Sequence, residues 1–133
     1  LIQNIDHTPT FLEIAGVKIP DDIQGKSYLP FLKGEKPKNW RNSLYYHYYE
    51  YPGEHAVKRH YGIQTQRYKL IHFYNDIDSW ELYDLQKDPS EMQNLINNPA
   101  YMDTIELLKK DLETLQTQYD DPIRHTKNRN RLK

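Results

Sequence analysis

Across residues 99–119 the apolar positions Met102, Ile105, Leu108, Leu112, Leu115 and Tyr119 recur three and four apart, with charged and amide side chains between them. That period lays one apolar stripe along a helix. The preceding stretch reads differently: residues 43–51, 61–65, 68–74 and 80–84 are rich in aromatic and β-branched side chains and predict four strands. Pro52-Gly53, Gln66-Arg67 and the run Asn75 to Ser79 separate them as turns. Connections this short favour antiparallel neighbours, because parallel pairs need long crossovers. The sheet needs cover on one face and the helical stripe supplies it, so Leu82, Leu85, Leu108, Leu112 and Leu115 are the expected core. The fold class is α+β: a small four-stranded antiparallel sheet packed on a C-terminal helix.

Asp88-Pro89 stops the fourth strand, and Ser90 before Glu91 predicts a cap on one short helical turn. At the start of the chain, Thr8 reads as a helix cap, Pro9 as the first helical position and Gly16 as the left-handed residue that closes the helix. Phe11, Leu12, Ile14 and Ala15 would then form a short buried face. Pro20, Gly25, Pro30 and Gly34 leave room only for one helical turn over residues 27–32. The segment is a wrapping connector whose Ile23, Tyr28, Leu29, Phe31 and Leu32 require a surface to bury against. A polar loop follows at residues 35–42. The expected division is an opening segment and connector at 1–40, the sheet and helix at 41–120, and a tail at 121–133.

The chain has 133 residues, enough for one core, and a near-balance of 18 Lys and Arg against 19 Asp and Glu. No global field therefore recruits nucleic acid or anionic lipid. The balance hides an asymmetry, since Arg124, Lys127, Arg129, Arg131 and Lys133 leave 13 bases against 19 acids on the rest. With no cysteine there is no disulfide framework and no thiolate nucleophile or metal ligand. No apolar run approaches the ~20 residues of a membrane-spanning helix. A start at Leu1, with no signal-like segment after it, reads as entry into a longer protein.

Candidate chemistry is sparse. His7, His47, His55, His60, His72 and His125 show no H-E-x-x-H or related ligand spacing. Asp76 and Asp78 begin like a calcium loop but lack its glycine and distal glutamate, so they read as turn residues, and Asp84, Asp88 and Glu91 as turn and cap residues. Ser27, Ser43, Ser79 and Ser90 lie in no G-x-S-x-G. The substrate-binding candidates are His55, Lys58, Arg59 and His60, polar and cationic donors beside Pro52-Gly53 on a loop. The cluster Tyr45, Tyr46, Tyr48, Tyr49 and Tyr51 admits core packing or a sugar-stacking platform, and the basic tail admits a solvated end or a nucleic-acid arm.

Four blocks carry a resemblance. Asp6-His-Thr-Pro-Thr-Phe-Leu-Glu-Ile-Ala-Gly16 resembles D-x-x-P-T-x-L-x-x-A-G of type I sulfatases, and Gln24-Gly-Lys-Ser-Tyr-Leu-Pro-Phe-Leu-Lys-Gly34 resembles their Q-G-x-S-x-x-P-x-L-x-G. Tyr68-Lys-Leu-Ile71 resembles Y-K-L-I, and residues 81–95 resemble E-L-Y-D-L-x-x-D-P-x-E-x-x-N-L, all in family order. The resemblance implies the C-terminal region of a formylglycine-dependent sulfatase, with the opening segment closing an alkaline-phosphatase-like α/β domain. It implies further that the formylglycine, made from Cys or Ser in C/S-x-P-x-R, and the calcium ion belong to an upstream catalytic domain, the partner of this region. Neither a catalytic residue nor a metal ligand is expected here, and these residues alone are expected to be inactive. The implied substrate is a sulfated glycan, which this region helps to wall in, and the parent fits a periplasmic or extracellular setting. Gln64 stands where many members have Arg. From the residues alone, a stand-alone carbohydrate-binding module or a nucleic-acid-binding domain remains the alternative.

Overall fold

The computed structural model describes residues 1–123, in two compact units, one from Leu1 to Leu44 and one from Tyr45 onward. Most of the basic tail, residues 124–133, lies outside the described residues.

The first unit is organised by a carboxylate rather than by an apolar stripe. Asp6 is fully buried and accepts from the N–H groups of Gln3 (2.8 Å) and Lys26 (2.9 Å) and from both guanidinium nitrogens of Arg41, Nη2 at 2.8 Å. Thr10 donates its hydroxyl to the Asp6 carbonyl (2.6 Å) and accepts the Tyr28 N–H (3.1 Å). Burial by itself would raise the Asp6 pKa, but the Arg41 and backbone donors outweigh it and hold the carboxyl below its ordinary value. A methyl group on Gly25 would overlap the Ile5 carbonyl, so the connector can approach this hub only through glycine.

Helix α1 (His7–Ile14) starts one residue before the expected Thr8 cap, with Asp6 at the N-cap, and Pro9 lies within its first turn, where N–H groups have no helical partner. Gly16 closes it as expected, at φ 68°, with Val17 N–H on the Leu12 carbonyl (2.9 Å) and Gly16 N–H on that of Glu13 (3.1 Å). The expected apolar face does not form, since Phe11 is 63% and Ile14 57% exposed and Ala15 is exposed too. The packed side of α1 is the one carrying Pro9 and Thr10, turned to the Asp6 hub. The single turn in the connector is α2 (Leu29–Leu32); Ile23, Tyr28 and Leu29 are half-buried, whereas Phe31 and Leu32 are exposed. Trp40 packs edge-on against Phe31 and donates its indole N–H to the Leu1 carbonyl (2.7 Å).

The second unit is the expected antiparallel sheet and helix. Strands β1 (Ser43–Tyr48), β2 (His60–Thr65), β3 (Tyr68–Phe73) and β4 (Ser79–Asp84) lie in sequence order, with β1 ending at Tyr48 rather than residue 51. The registers Tyr61↔His72, Ile63↔Leu70 and Leu70↔Leu82 bring Tyr61, Ile63, Leu70 and Leu82 to one face, each essentially inaccessible. Ile105, Leu108 and Leu112 of α3 (Met102–Gln118) cover that face, and Leu95 joins them. Leu115 is half-buried against this cluster and Leu85 half-buried outside it. Met102 departs from the expected stripe and is 60% exposed; the preceding turn Pro99–Tyr101 brings Tyr101 to the core instead.

The short helix expected after Ser90 is absent. Glu91 has a left-handed φ of 54°, and its carboxylate pairs with Lys69 (2.7 Å) instead of capping a turn. Residues 84–96 are held by side chains. Buried Asp84 accepts the N–H of Gln86 (3.2 Å) and pairs with Arg67 (2.9 Å), and Asp88 accepts the N–H of Gln93 (2.7 Å). Asn94 accepts the Leu82 N–H (3.0 Å), while the Leu95 N–H returns to the Leu82 carbonyl (2.8 Å).

Leu112, 2% exposed beneath the sheet, tests this packing. Leu112→Ala is expected to lower the unfolding free energy by about 2–5 kcal/mol in denaturant melts, through lost transfer energy plus the residual cavity. A loss below about 0.5 kcal/mol would place the side chain outside the core.

Candidate functional site

Alternation along β1 sends Tyr45 and His47 to the helix side of the sheet and Tyr46 and Tyr48 to the other. On the helix side, the His47 Nδ1–H donates to Asp121 (2.8 Å), and its Nε2 accepts the Tyr74 hydroxyl (2.7 Å). Tyr45 donates its hydroxyl to the same Asp121 oxygen, and the Ile123 N–H donates to the other (2.8 Å). Asp121 arrives there because α3 ends in a left-handed Asp120 (φ 49°), with Asp121 N–H on the Gln116 carbonyl (3.0 Å). The start of the expected tail is thus part of the fold.

Burial again tends to raise the Asp121 pKa, but the Tyr45, Ile123 and His47 donors hold it below the ordinary value; the Tyr45 phenol is correspondingly pushed up by burial and by the adjacent carboxylate. A second relay stands beside the first. His72 donates Nε2–H to Asp78 (2.9 Å), accepts the Tyr61 hydroxyl at Nδ1 (2.7 Å) and stacks on Trp80 at 4.2 Å. The Tyr61 and Tyr74 rings stack at 5.5 Å between the two histidines.

These packed networks support the loop of residues 49–59, which carries three of the four candidates. Residues 52–57 are all exposed, and the His55 ring has no partner among the described residues. Lys58 lies with Nζ 3.7 Å from the Tyr51 ring centre and donates to the Tyr51 hydroxyl. Arg59 donates Nε–H to the Tyr49 carbonyl (3.3 Å) and faces the Asp76 carboxylate at 3.8 Å. His60 is the first residue of β2; its Nδ1–H donates to the Lys58 carbonyl (2.8 Å), and its ring stacks on Tyr48 (5.5 Å) beside Phe73 (5.2 Å). The four residues are neighbours in the chain, but only His55 stands free, and they do not converge on one point.

The aromatic cluster divides between faces: Tyr45 is tied to Asp121, Tyr49 is 71% exposed, and the hydroxyls of Tyr46 and Tyr48 are buried without a hydrogen-bond partner among the described residues. The His47–Asp121–Tyr74 network went unrecognised in the sequence. Period-two spacing pairs Tyr45 with His47 and His72 with Tyr74, but nothing local connects His47 to a carboxylate 74 residues on.

Among the described residues, no group of three or more His, Asp or Glu side chains converges to hold a metal ion. Residues 1–118, which include all four sequence blocks, match the family of N-sulphoglucosamine sulphohydrolase C-terminal regions. The chain belongs to that family. An N-acetylglucosamine-6-O-sulfatase of Bacteroides thetaiotaomicron is 56% identical over 121 residues, covering 90% of this chain and 22% of the relative. An arylsulfatase of Clostridium perfringens is 34% identical over 123 residues, covering 87% of this chain and 24% of the relative. The solved structure of BT4656 in complex with its substrate D-glucosamine-2-N,6-O-disulfate matches with a TM-score of 0.84 at 55% identity, over 88% of this chain and 24% of that one. The chain thus spans about a quarter of the length of these relatives, or less.

Asp6, Asp84 and Asp121 all have lowered carboxyl pKa values, so the stability they confer is present above the ordinary carboxylate range and is lost as pH falls through the folded values. The melting temperature is expected to drop steeply below about pH 4. Asp121→Asn is expected to lower it near neutrality and to make the acid limb shallower, as read from thermal melts between pH 3 and 7. An unchanged limb would mean that Asp121 is not among the carboxylates that must stay ionised.

Proposed function

We propose that this chain is the C-terminal part of a sulfatase that hydrolyses the 6-O-sulfate ester of glucosamine-containing glycans. The observation that carries the reading is the 56% identity over 121 residues with an N-acetylglucosamine-6-O-sulfatase. The TM-score of 0.84 to a structure holding a 6-O-sulfated glucosamine supports it.

The reaction centre belongs, in this reading, to an upstream catalytic domain. The sequence has no cysteine and no C/S-x-P-x-R, and no described cluster fits a divalent ion. Formylglycine and calcium are assigned to that domain on the family resemblance, and no chemical step is routed through this chain. Its contribution is to wall the sugar subsite with the 49–59 loop. His55, free at the loop tip, can donate to a sugar hydroxyl while neutral. Lys58, Arg59 and His60 form the base from which that loop projects.

The test is kinetic, in the full-length protein with N-acetylglucosamine 6-sulfate. His55→Ala is expected to lower kcat/KM about three- to ten-fold, the worth of one hydrogen bond, at an unchanged melting temperature. Residues 1–133 alone are expected to release no sulfate. Wild-type kcat/KM in His55→Ala would remove the loop from the subsite, and failure to turn over any 6-O-sulfated glucosamine would remove the substrate assignment.

A further inference from the structure

β1 stops at Tyr48 and β2 starts at His60, so the backbone ladder cannot order the eleven residues between them. Two cations extend the hairpin beyond that point. Lys58 bridges to Tyr51, lying over its ring and donating to its hydroxyl, and Arg59 bridges to the Tyr49 carbonyl. Arg59 also reaches out of the hairpin: its guanidinium faces Asp76 in the β3–β4 turn, and its carbonyl accepts the Tyr74 N–H (3.2 Å). Tyr74 in turn holds His47 and, through it, Asp121. The stem of the loop is therefore fastened to the β3–β4 connection and, through Tyr74, to His47 of β1 and Asp121 after α3, while its tip makes none of these contacts.

We propose that Lys58 and Arg59 are positioning residues, Lys58 bracing the loop internally on Tyr51 and Arg59 clamping its stem to the Asp76 turn, which together set the direction in which His55 is presented, rather than cations that bind the substrate sulfate. This rests on the reading of the loop as part of the sugar subsite. A sulfate ligand would have to compete with the Tyr51 ring for Lys58 and with Asp76 and the Tyr49 carbonyl for Arg59. The partly exposed Arg59–Asp76 pair is a modest interaction, so the effects of breaking it should be modest as well.

Asp76→Asn separates the two roles, because it breaks the clamp and leaves both cations in place. In the full-length protein with N-acetylglucosamine 6-sulfate, Asp76→Asn and Arg59→Ala are each expected to lower kcat/KM about three- to five-fold, and the double variant to be no worse than Arg59→Ala. The dependence of KM on ionic strength should stay as in the wild type for all three, since no sulfate contact is lost. Wild-type kinetics in Asp76→Asn, together with a raised and salt-insensitive KM in Arg59→Ala, would overturn the proposal in favour of direct sulfate binding. If Arg59→Ala does not fold, Arg59→Gln takes its place under the same criteria. The parent reading fails separately: an inert His55→Ala overturns both, whereas a damaging His55→Ala beside an inert Asp76→Asn overturns only the clamp.

Discussion

Four strands of six residues, joined by one eleven-residue loop and two short turns, make a sheet that is marginal until one face is removed from water. The cover here is a single helix, and its contact with the sheet narrows to Ile105, Leu108 and Leu112 over Tyr61, Ile63, Leu70 and Leu82. Apolar burial of this kind is worth about 1.5–3 kcal/mol per side chain and is the main favourable term available to so small a core. Everything else described in the second unit presupposes it. Asp121 reaches Tyr45 and His47 only because α3 is seated, and the 49–59 loop has a firm base only because the strands beneath it are paired and covered.

Three of the four sequence blocks that mark the family are explained by hydrogen-bond satisfaction and close packing around it. In the first, Asp6 and Thr10 gather the N–H groups of Gln3, Lys26 and Tyr28 with the Arg41 side chain. In the second, Gly25 is the point of closest approach to that hub. In the last, Asp84, Asp88, Glu91 and Asn94 each accept from a backbone N–H or pair with a cation, and so hold in place the irregular segment that follows β4. A buried carboxylate needs several donors at once. Few substitutions supply the same geometry, which gives these positions a recognisable pattern.

The sheet and the long helix were legible because their periods of two and near four extend over enough residues to stand out. In the opening helix the apolar pattern of Phe11, Leu12 and Ile14 does not mark the side packed within this unit, which is built around Asp6, and a polar hub leaves no periodic trace. Ser90 and Glu91 looked like a helix start because a cap and a left-handed turn draw on the same residue types. At the candidate site, composition marked the Pro-Gly loop and its cations but not their engagements. Lys58, Arg59 and His60 face partners that only strand pairing brings near, and Asp121 lies too far along the chain for any motif to link it with His47.

The outer edge of the sheet has one more consequence. An edge strand normally offers a row of unpaired N–H and C=O groups to any extended chain that arrives. At the centre of β4 both groups of Leu82 are already engaged by Asn94 and Leu95 of the same polypeptide. A foreign strand laid along β4 would have to displace that segment and draw Leu95 out of the core. The asparagine of the last family block thereby occupies, from within the same polypeptide, the part of the edge that an incoming strand would need.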